Sequence, residues 1–498
     1  MIYTITSTLP QTHGGRTKVL LKRIQFLKDA LDIDQTILTT NYNADYPNIY
    51  TTFLNAGKLY PDTPIINLYD WLSDYTLFAD TPHHVIKHTP QRISPLKYKH
   101  KKDTKKDVIR YFERVTNKYY VYRKFYAGTK QVKFDDFFKP SIKHKIMRYE
   151  YTRQGALHRT TYFSHTYNLP VEEIYYTPTG DIYCRKHFED SEKNTLQSIT
   201  TYDKDGDATT FKTEKALFKY FFDAHFNHHD IVFNDARLLD GALLETSHDI
   251  QPVLVYHSSH LLNNKIKKRY KISLRAFEKV AKFVLLTTHQ KQDIQSQFNI
   301  PDEKFAVIPN FITPSMHEQN AEEVCDQFVY IGRFGEEKQL HHIIEAYRLF
   351  KQSGHTTKLV LYGATEPIRS TLIDLIDAYD LTKDVTIHGF THEAHHIFKQ
   401  SRASLLTSKF EGFPLSIIES IDAGCPVIAY DIRYGPRDII IDGQNGMLVE
   451  PNNIDAFAHA MIKMVEQPLE HVANHQAVTY DAAISNYKNL FNALSYNA

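Results

Sequence analysis

Cysteine is scarce in this sequence. Its three residues, Cys184, Cys325 and Cys425, lie far apart and form no Cys-x-x-Cys. That spacing excludes a disulfide scaffold and a thiolate zinc site and suits a reducing compartment. An excess of one charge is missing too. Lys and Arg total 59 and Asp and Glu 58, for a net charge of +1. No global field for a nucleic acid or another polyanion surrounds the chain, so any basic surface must be local. No stretch approaches the ~18 consecutive apolar residues of a membrane span. The chain opens directly on a strand pattern, without a basic segment leading into an apolar run. The expectation is a cytoplasmic protein without a transmembrane segment, at most peripheral to the inner face of the membrane.

Aromatics, in contrast, are plentiful at 13%, and their clustering separates one region of the chain from the rest. A length of 498 residues argues for two or three domains, because one core stops growing at about 250–300 residues.

The most informative stretch is Ser408 to Glu419. Ala403–Thr407 before it reads as a buried strand. Pro414–Ala423 reads as a helix, with Pro at its first position and Gly424 just past its end. Val427–Tyr430 reads as the next strand. Backbone N–H groups at the helix start can face an anion. Glu411 in the loop and Glu419 in the helix would oppose a bare phosphate, but they suit sugar hydroxyls as acceptors. A nucleotide sugar meets both conditions. The bland alternative is a loop Glu and a solvated helix Glu.

In chain order, Ile2–Leu9 is β-prone and Thr17–Ala30 has helical spacing. Gly14-Gly15 between them is either a plain turn or a place where backbone meets a ligand. Gln35–Thr40 and Pro64–Tyr69 read as further strands. Lys97–Arg110 holds seven Lys or Arg against two Asp. It is either a solvated or poorly ordered basic loop or a docking strip for an acidic acceptor or an anionic membrane. From Tyr119 to about Phe211 the chain is β-rich and repeats itself. Tyr151, Gly155 and Phe163 recur as Tyr176, Gly180 and Phe188, and Tyr202 and Gly206 begin a third copy. Glycines in polar turns at this regular spacing signal an antiparallel meander. Asp203, Asp205 and Asp207 do not match a calcium loop, since the Gly is in the fourth place. Neither Asp32-x-Asp34 nor Asp205-x-Asp207 has the setting of a metal-holding Asp-x-Asp.

Later strands read at Ile231–Phe233, Val253–Tyr256, Lys282–Thr288, Ala306–Ile308 and Phe328–Ile331. His257 and His260 follow the second of these, at a strand end where α/β proteins place ligands. Arg333 and Lys338 follow the last, ahead of a helix from Glu345. Cations at a helix start are mildly unfavourable alone, which makes a bound anion credible there. Lys358–Tyr362 and Val385–His388 end at Gly363 and at Gly389. A final helix reads over Asp481–Tyr496.

Glu411, seven residues, then Glu419, with Gly412-Phe413 after the first Glu, resembles the signature of retaining glycosyltransferases of family 4. Gly14-Gly15, His257 and the Arg333, Lys338 pair stand at matching places. The resemblance implies an α/β GT-B fold: two Rossmann-like doubly wound domains, here with an inserted antiparallel β-meander domain. The expected divisions are 1–72 with 214–318, the insertion 73–213, the nucleotide-sugar domain 319–478, and a crossover helix 479–498. It implies that His257, Arg333, Lys338 and Glu411 are catalytic. Gly14, Gly15, Gly412, Phe413, Leu415, Ser416 and Glu419 would bind the donor, with Glu419 on the ribose. His388 and Gly389 would frame the base. No metal or other cofactor is expected, because fixed cations and helix N–H groups neutralise the leaving diphosphate.

Thr-Leu-Pro at Thr8, His-Gly-Gly-Arg-Thr at His13, Asn-Asp-Ala-Arg-Leu-Leu-Asp at Asn234, His-Ser-Ser-His at His257 and Tyr-Asp-Ile-Arg-Tyr-Gly-Pro at Tyr430 narrow the resemblance. They are similar to bacterial enzymes that add N-acetylglucosamine from UDP-GlcNAc to serine-aspartate-repeat or serine-rich adhesins. Wall teichoic acid α-N-acetylglucosaminyltransferases are near relatives. The expected partners are the donor and an anionic or serine-rich polypeptide acceptor held partly by the β-rich insertion. Self-association is a further expectation, and nucleic acid is not. The rivals are a catalytically silent, acceptor-presenting partner subunit and a nucleotide-sugar epimerase.

Overall fold

A computed structural model describes residues 1–11, 14–74, 86–88, 90–139, 144–313, 325–363 and 366–495. They divide into two compact units, Met1–His13 with Asp34–Ile250, and Gly14–Ile33 with Gln251–Ala498.

In the first unit, parallel strands run in the order Ile231–Asn234, Ile2–Thr6, Thr36–Thr39, Ile65–Asn67. All five residues of Ile2–Thr6 are buried, the continuous pattern of a parallel strand covered on both faces. The strand expected over Pro64–Tyr69 stops at Asn67. Its side chain accepts from the Tyr69 amide at 2.9 Å and caps a helix, Leu68–Ser73. Local capping overrides the β propensity of Tyr69.

The same unit carries ten antiparallel strands, from Tyr98–Asp103 to Ala208–Phe211, each paired with its neighbour in sequence. Gly155, Gly180 and Gly206 sit at turns with φ of +93°, +90° and +85°, so the repeated glycine answers a repeated left-handed position. Lys97–Arg110 is not a poorly ordered loop. It forms the edge hairpin of this sheet, with Lys101 opposite Arg110. The Asp203 carboxylate closes its turn by accepting from the amides of Asp205 and Asp207 at 3.0 and 2.9 Å. Among the described residues no His, Cys, Asp and Glu cluster could hold a metal.

The second unit contains a parallel trio, Gln251–Val255, Lys282–Leu285 and Phe305–Val307. It also contains a six-stranded parallel sheet in the order Val385–His388, Lys358–Tyr362, Cys325–Ile331, Ser401–Leu406, Val427–Tyr430, Gly446–Val449. The helix expected from Glu345 begins at Leu340, after Gln339 adopts φ of +48°. Pro414 is the cap residue rather than the first residue of the helix Leu415–Asp422. The last helix, Tyr480–Ala493, packs on the helix Gly15–Leu31, where the Phe26 ring lies 5.1 and 5.5 Å from those of Tyr480 and Tyr487. Among the described residues no helix is long and apolar enough to cross a membrane.

Candidate active site

Strand order in the six-stranded sheet reverses between Cys325–Ile331 and Ser401–Leu406. The loops after those adjacent strands open a crevice at their carboxyl ends, the usual ligand position in doubly wound sheets. Here the two loops are tied together. Thr407 Oγ1 donates to the carbonyls of Lys338 and Gln339, both at 3.0 Å, and the Lys409 amide donates to Glu337 O at 2.7 Å. The chief consequence is an ion pair, Lys338 Nζ to Glu411 Oε1 at 2.5 Å, between side chains only 19% and 14% exposed. Ser408 Oγ donates to the same carboxylate oxygen at 2.7 Å. Charge-assisted bonds in a partly desolvated crevice hold both groups in place.

The loop from Glu411 to Pro414 is fixed from two further sides. The Glu411 amide donates to Arg433 O at 3.1 Å, and the Tyr434 amide donates to Glu411 O at 3.0 Å. Tyr434 is buried, and its hydroxyl donates to Asp293 at 2.5 Å. Gly412 lies against the backbone that carries His257. A Cβ there would land on His257 O and 2.6 Å from Ser258 Cα. Only glycine permits that approach. Phe413 beside it is buried.

Two helix starts converge at this loop. Neither Gly15–Leu31 nor Leu415–Asp422 has a side-chain cap or an acid in its first turn. A Cβ on Gly15 would stand 3.7 Å from Leu415 Cδ1, whereas among the described residues no atom stands within 4 Å of a Cβ on Gly14. Gly14 caps the first helix, and Leu415 and Ser416 begin the second. Uncapped N–H groups at both starts are donors for an anion. Within the helices, Lys18 is ion-paired with Glu419. Beside that pair is a cavity of about 390 Å³, whose lining includes Lys22, Asn310 and His395. Of the expected site residues, Leu415 and Glu419 line it. Burial, then the neighbouring Lys18 charge, pushes the Lys22 ammonium down to about 8.

The remaining expected residues are placed less directly. Arg333 is 67% exposed and ion-paired with Glu337, not with Glu411. His257 is half-buried at the end of its strand. His388 is exposed and stacks on Tyr362 at 4.8 Å, and Gly389 is exposed beside it. Sequence reasoning passed over Lys18, Ser408 and the Tyr434 to Asp293 bond. Lys18 had a legible signal, a cation one turn past Gly14-Gly15. Tyr434 and Asp293 lie 141 residues apart, and only folding unites them. His260 is fully buried, packs face to face with Tyr434 at 6.0 Å, and is pushed down to about 4, chiefly by burial.

Residues 313–482 match the family model of glycosyl transferases group 1. Over 477 residues the chain is 25% identical to the poly(ribitol-phosphate) alpha-N-acetylglucosaminyltransferase of Staphylococcus aureus, covering 93% of this chain and 92% of that one. A structure of S. aureus TarM in complex with fondaparinux, alpha-GlcNAc-glycerol and UDP superposes with a TM-score of 0.81 at 23% identity, covering 99% of both chains. The pneumococcal O-GlcNAc transferase GtfA in complex with UDP and GlcNAc gives 0.68 at 18% identity, covering 100% of this chain and 99% of that one. The fold is GT-B, with Rossmann-like parallel sheets and an antiparallel β-rich sheet.

Proposed function

We infer that this chain, whose residues 313–482 match the group 1 glycosyltransferase family model, transfers N-acetylglucosamine from UDP-N-acetylglucosamine with retention at the anomeric carbon. The observation that carries the reading is the Lys338 to Glu411 pair, set beside the backbone of His257 and two uncapped helix starts. The bond from the sugar C1 to the diphosphate oxygen breaks, and negative charge gathers on the leaving group. Lys338, Arg333 and the N–H groups from Gly412 to Ser416 would receive that charge without a metal. Donor binding would draw Lys338 partly from Glu411 to the phosphate. The freed carboxylate would then accept from sugar hydroxyls. Glu419, now on Lys18, would exchange in the same way with the ribose. The acceptor hydroxyl attacks C1 from the face the diphosphate leaves, and its proton passes to the departing phosphate oxygen. His257 would hold the sugar in that crevice.

Of the two acceptors the resemblance implies, a polyol-phosphate polymer of the wall teichoic acid kind is favoured. The relative of that name matches nearly the whole chain, and the TarM structure superposes better than GtfA. Serines of an adhesin are the second reading, favoured by the GtfA likeness. Either would be served in the cytoplasm, at or near the membrane. The purified chain, incubated with UDP-N-acetylglucosamine and either poly(ribitol phosphate) or a Ser-Asp repeat peptide, is expected to add mass to the polymer. Mass gained by the peptide alone would move the assignment to the protein acceptor. No transfer to either and no donor hydrolysis would favour the silent-partner rival. The product's anomeric configuration by NMR tests retention.

A further inference from the structure

One strongly basic segment of the second unit has no part in the site described above. Residues 263–275 contain Lys265, Lys267, Lys268, Arg269, Lys271 and Arg275 and no carboxylate. The segment begins with a tight hairpin, Leu261–Leu262 paired with Lys265–Ile266, turned by Asn263 and Asn264 with φ of +48° and +58°. It continues as the helix Lys268–Arg275. Tyr270, Ser273 and Leu274 face inward and are buried. Lys265, Lys268, Arg269, Lys271 and Arg275 are exposed, and among the described residues none of the five is ion-paired.

Local physics does not explain this arrangement. Lys268, Lys271 and Arg275 lie at i, i+3 and i+7 on one helix face, where neighbouring like charges repel. Lys267 and Lys268 also stand at the positive end of the helix dipole. Both costs disappear if a polyanion lies along the row.

The row is attached to the site. The Lys267 amide donates to His260 O at 2.9 Å, and its Nζ donates to Ser259 O at 2.6 Å. That ammonium also stands over the Phe410 ring, 5.3 Å from its centroid, in the loop that carries Glu411. The cations therefore begin at the His257–His260 turn and lead away from it along a helix of eight residues, about 12 Å.

We propose that the exposed cations of residues 265–275 form a docking strip for a phosphodiester-linked acceptor polymer, which the strip aligns with the crevice at His257. This deepens the function proposed above and rests on it for the identity of the polymer. The chain's net charge of +1 leaves little long-range attraction for a polyanion, so a local strip must supply it. Leu262 and Ile272 are each 50% exposed in the same segment, which raises a lipid surface as the competing partner. One apolar side chain in the hairpin and one on the eight-residue helix offer little area for insertion into a bilayer.

The test uses the full chain and the triple variant Lys268→Gln, Arg269→Gln, Lys271→Gln, with Lys265→Gln, Arg275→Gln as a second, independent variant. Binding of poly(ribitol phosphate) without donor should weaken by about tenfold or more at low salt in the triple variant, and the gap should close at high salt. The KM for the polymer should rise in parallel, with kcat and donor hydrolysis unchanged. Equal polymer binding by wild type and both variants would overturn the proposal. So would lost binding to phosphatidylglycerol vesicles with polymer binding intact, which would assign the strip to the membrane. If wild type binds the polymer, the variants do not, and no sugar is transferred, the strip stands and the proposed transfer reaction fails.

Discussion

The ten-stranded antiparallel sheet and the six-stranded parallel sheet handle charged side chains differently. In the antiparallel sheet, charges sit on the faces and are matched across strands. Arg123 meets Asp135 at 2.7 Å, Arg148 meets Asp136 at 2.6 Å, and Arg159 meets Glu150 at 2.5 Å. Aromatic rings cover several of these cations, with Arg148 4.3 Å from the Phe134 centroid. Each charge in these three pairs is already satisfied by a neighbour, so the faces they occupy are structural. In the parallel sheet the strand interiors are apolar, as in Val427–Tyr430, which is buried throughout, and charges stand near the strand ends, as where Arg402 meets Asp326. Its working charges stand in loops beyond the strand ends, where partners can be exchanged for a ligand. Matched charges within a sheet stabilise it, whereas charges at strand ends remain available for chemistry.

Four tests and one control probe that contrast, in order of expected effect. The largest is Arg159→Leu in the antiparallel sheet. It strands Glu150 in a position 15% exposed and should cost about 3–5 kcal/mol of stability, read as a lower urea midpoint, while transfer by the remaining folded protein persists. Lost turnover at unchanged stability would show that this face takes part in catalysis. Next, Lys338→Ala should lower kcat by about a hundred- to a thousandfold, equivalent to ~2.7–4 kcal/mol of barrier, with circular dichroism unchanged. Full turnover would remove Lys338 from the mechanism.

Gly412→Ala should cost about a hundredfold in kcat/KM, because the loop must move off the His257 backbone. Gly389→Ala is the control. Among the described residues no atom lies within 4 Å of its Cβ, so turnover should stay within about twofold, and a larger loss with a raised KM for the donor would put the base against it. The smallest effect concerns acid. Burial holds both His260 and His158 down at about 4, against an ordinary value of 6.5. Between those values the unfolded chain binds the extra protons, so stability is retained above about 6.5 and lost as pH falls towards 4. Going from pH 7 to 5 should cost about 2 kcal/mol for each histidine. His158→Phe and His260→Phe should each flatten that loss in urea titrations, and an unchanged slope would place the titrating group elsewhere.

Much of this was legible because it depends on short-range pattern. The Val427–Tyr430 strand, the helix after Gly14-Gly15 and the positive-φ glycines of the meander follow from apolar runs, 3.6-residue spacing and turn chemistry. Element boundaries failed where a local cap competed with propensity, as at Asn67 and Gln339. The basic hairpin at Lys97–Arg110 was unreadable as a strand because an edge strand can carry lysines on both faces. Glu411 and Lys338 could be named individually, but their mutual bond could not, and Arg333 turned instead to Glu337.

The α/β alternation, the antiparallel region and the residue types able to receive a diphosphate and hold a sugar can be read along the chain, since they rest on side-chain chemistry and local spacing. Which charges meet is a property of the folded arrangement. That arrangement puts Lys338 on Glu411, Lys18 on Glu419 and Gly412 against His257, because each pairing is set by strand order and loop approach across 73, 401 and 155 residues of chain, taken as differences of their numbers. No local periodicity carries that information.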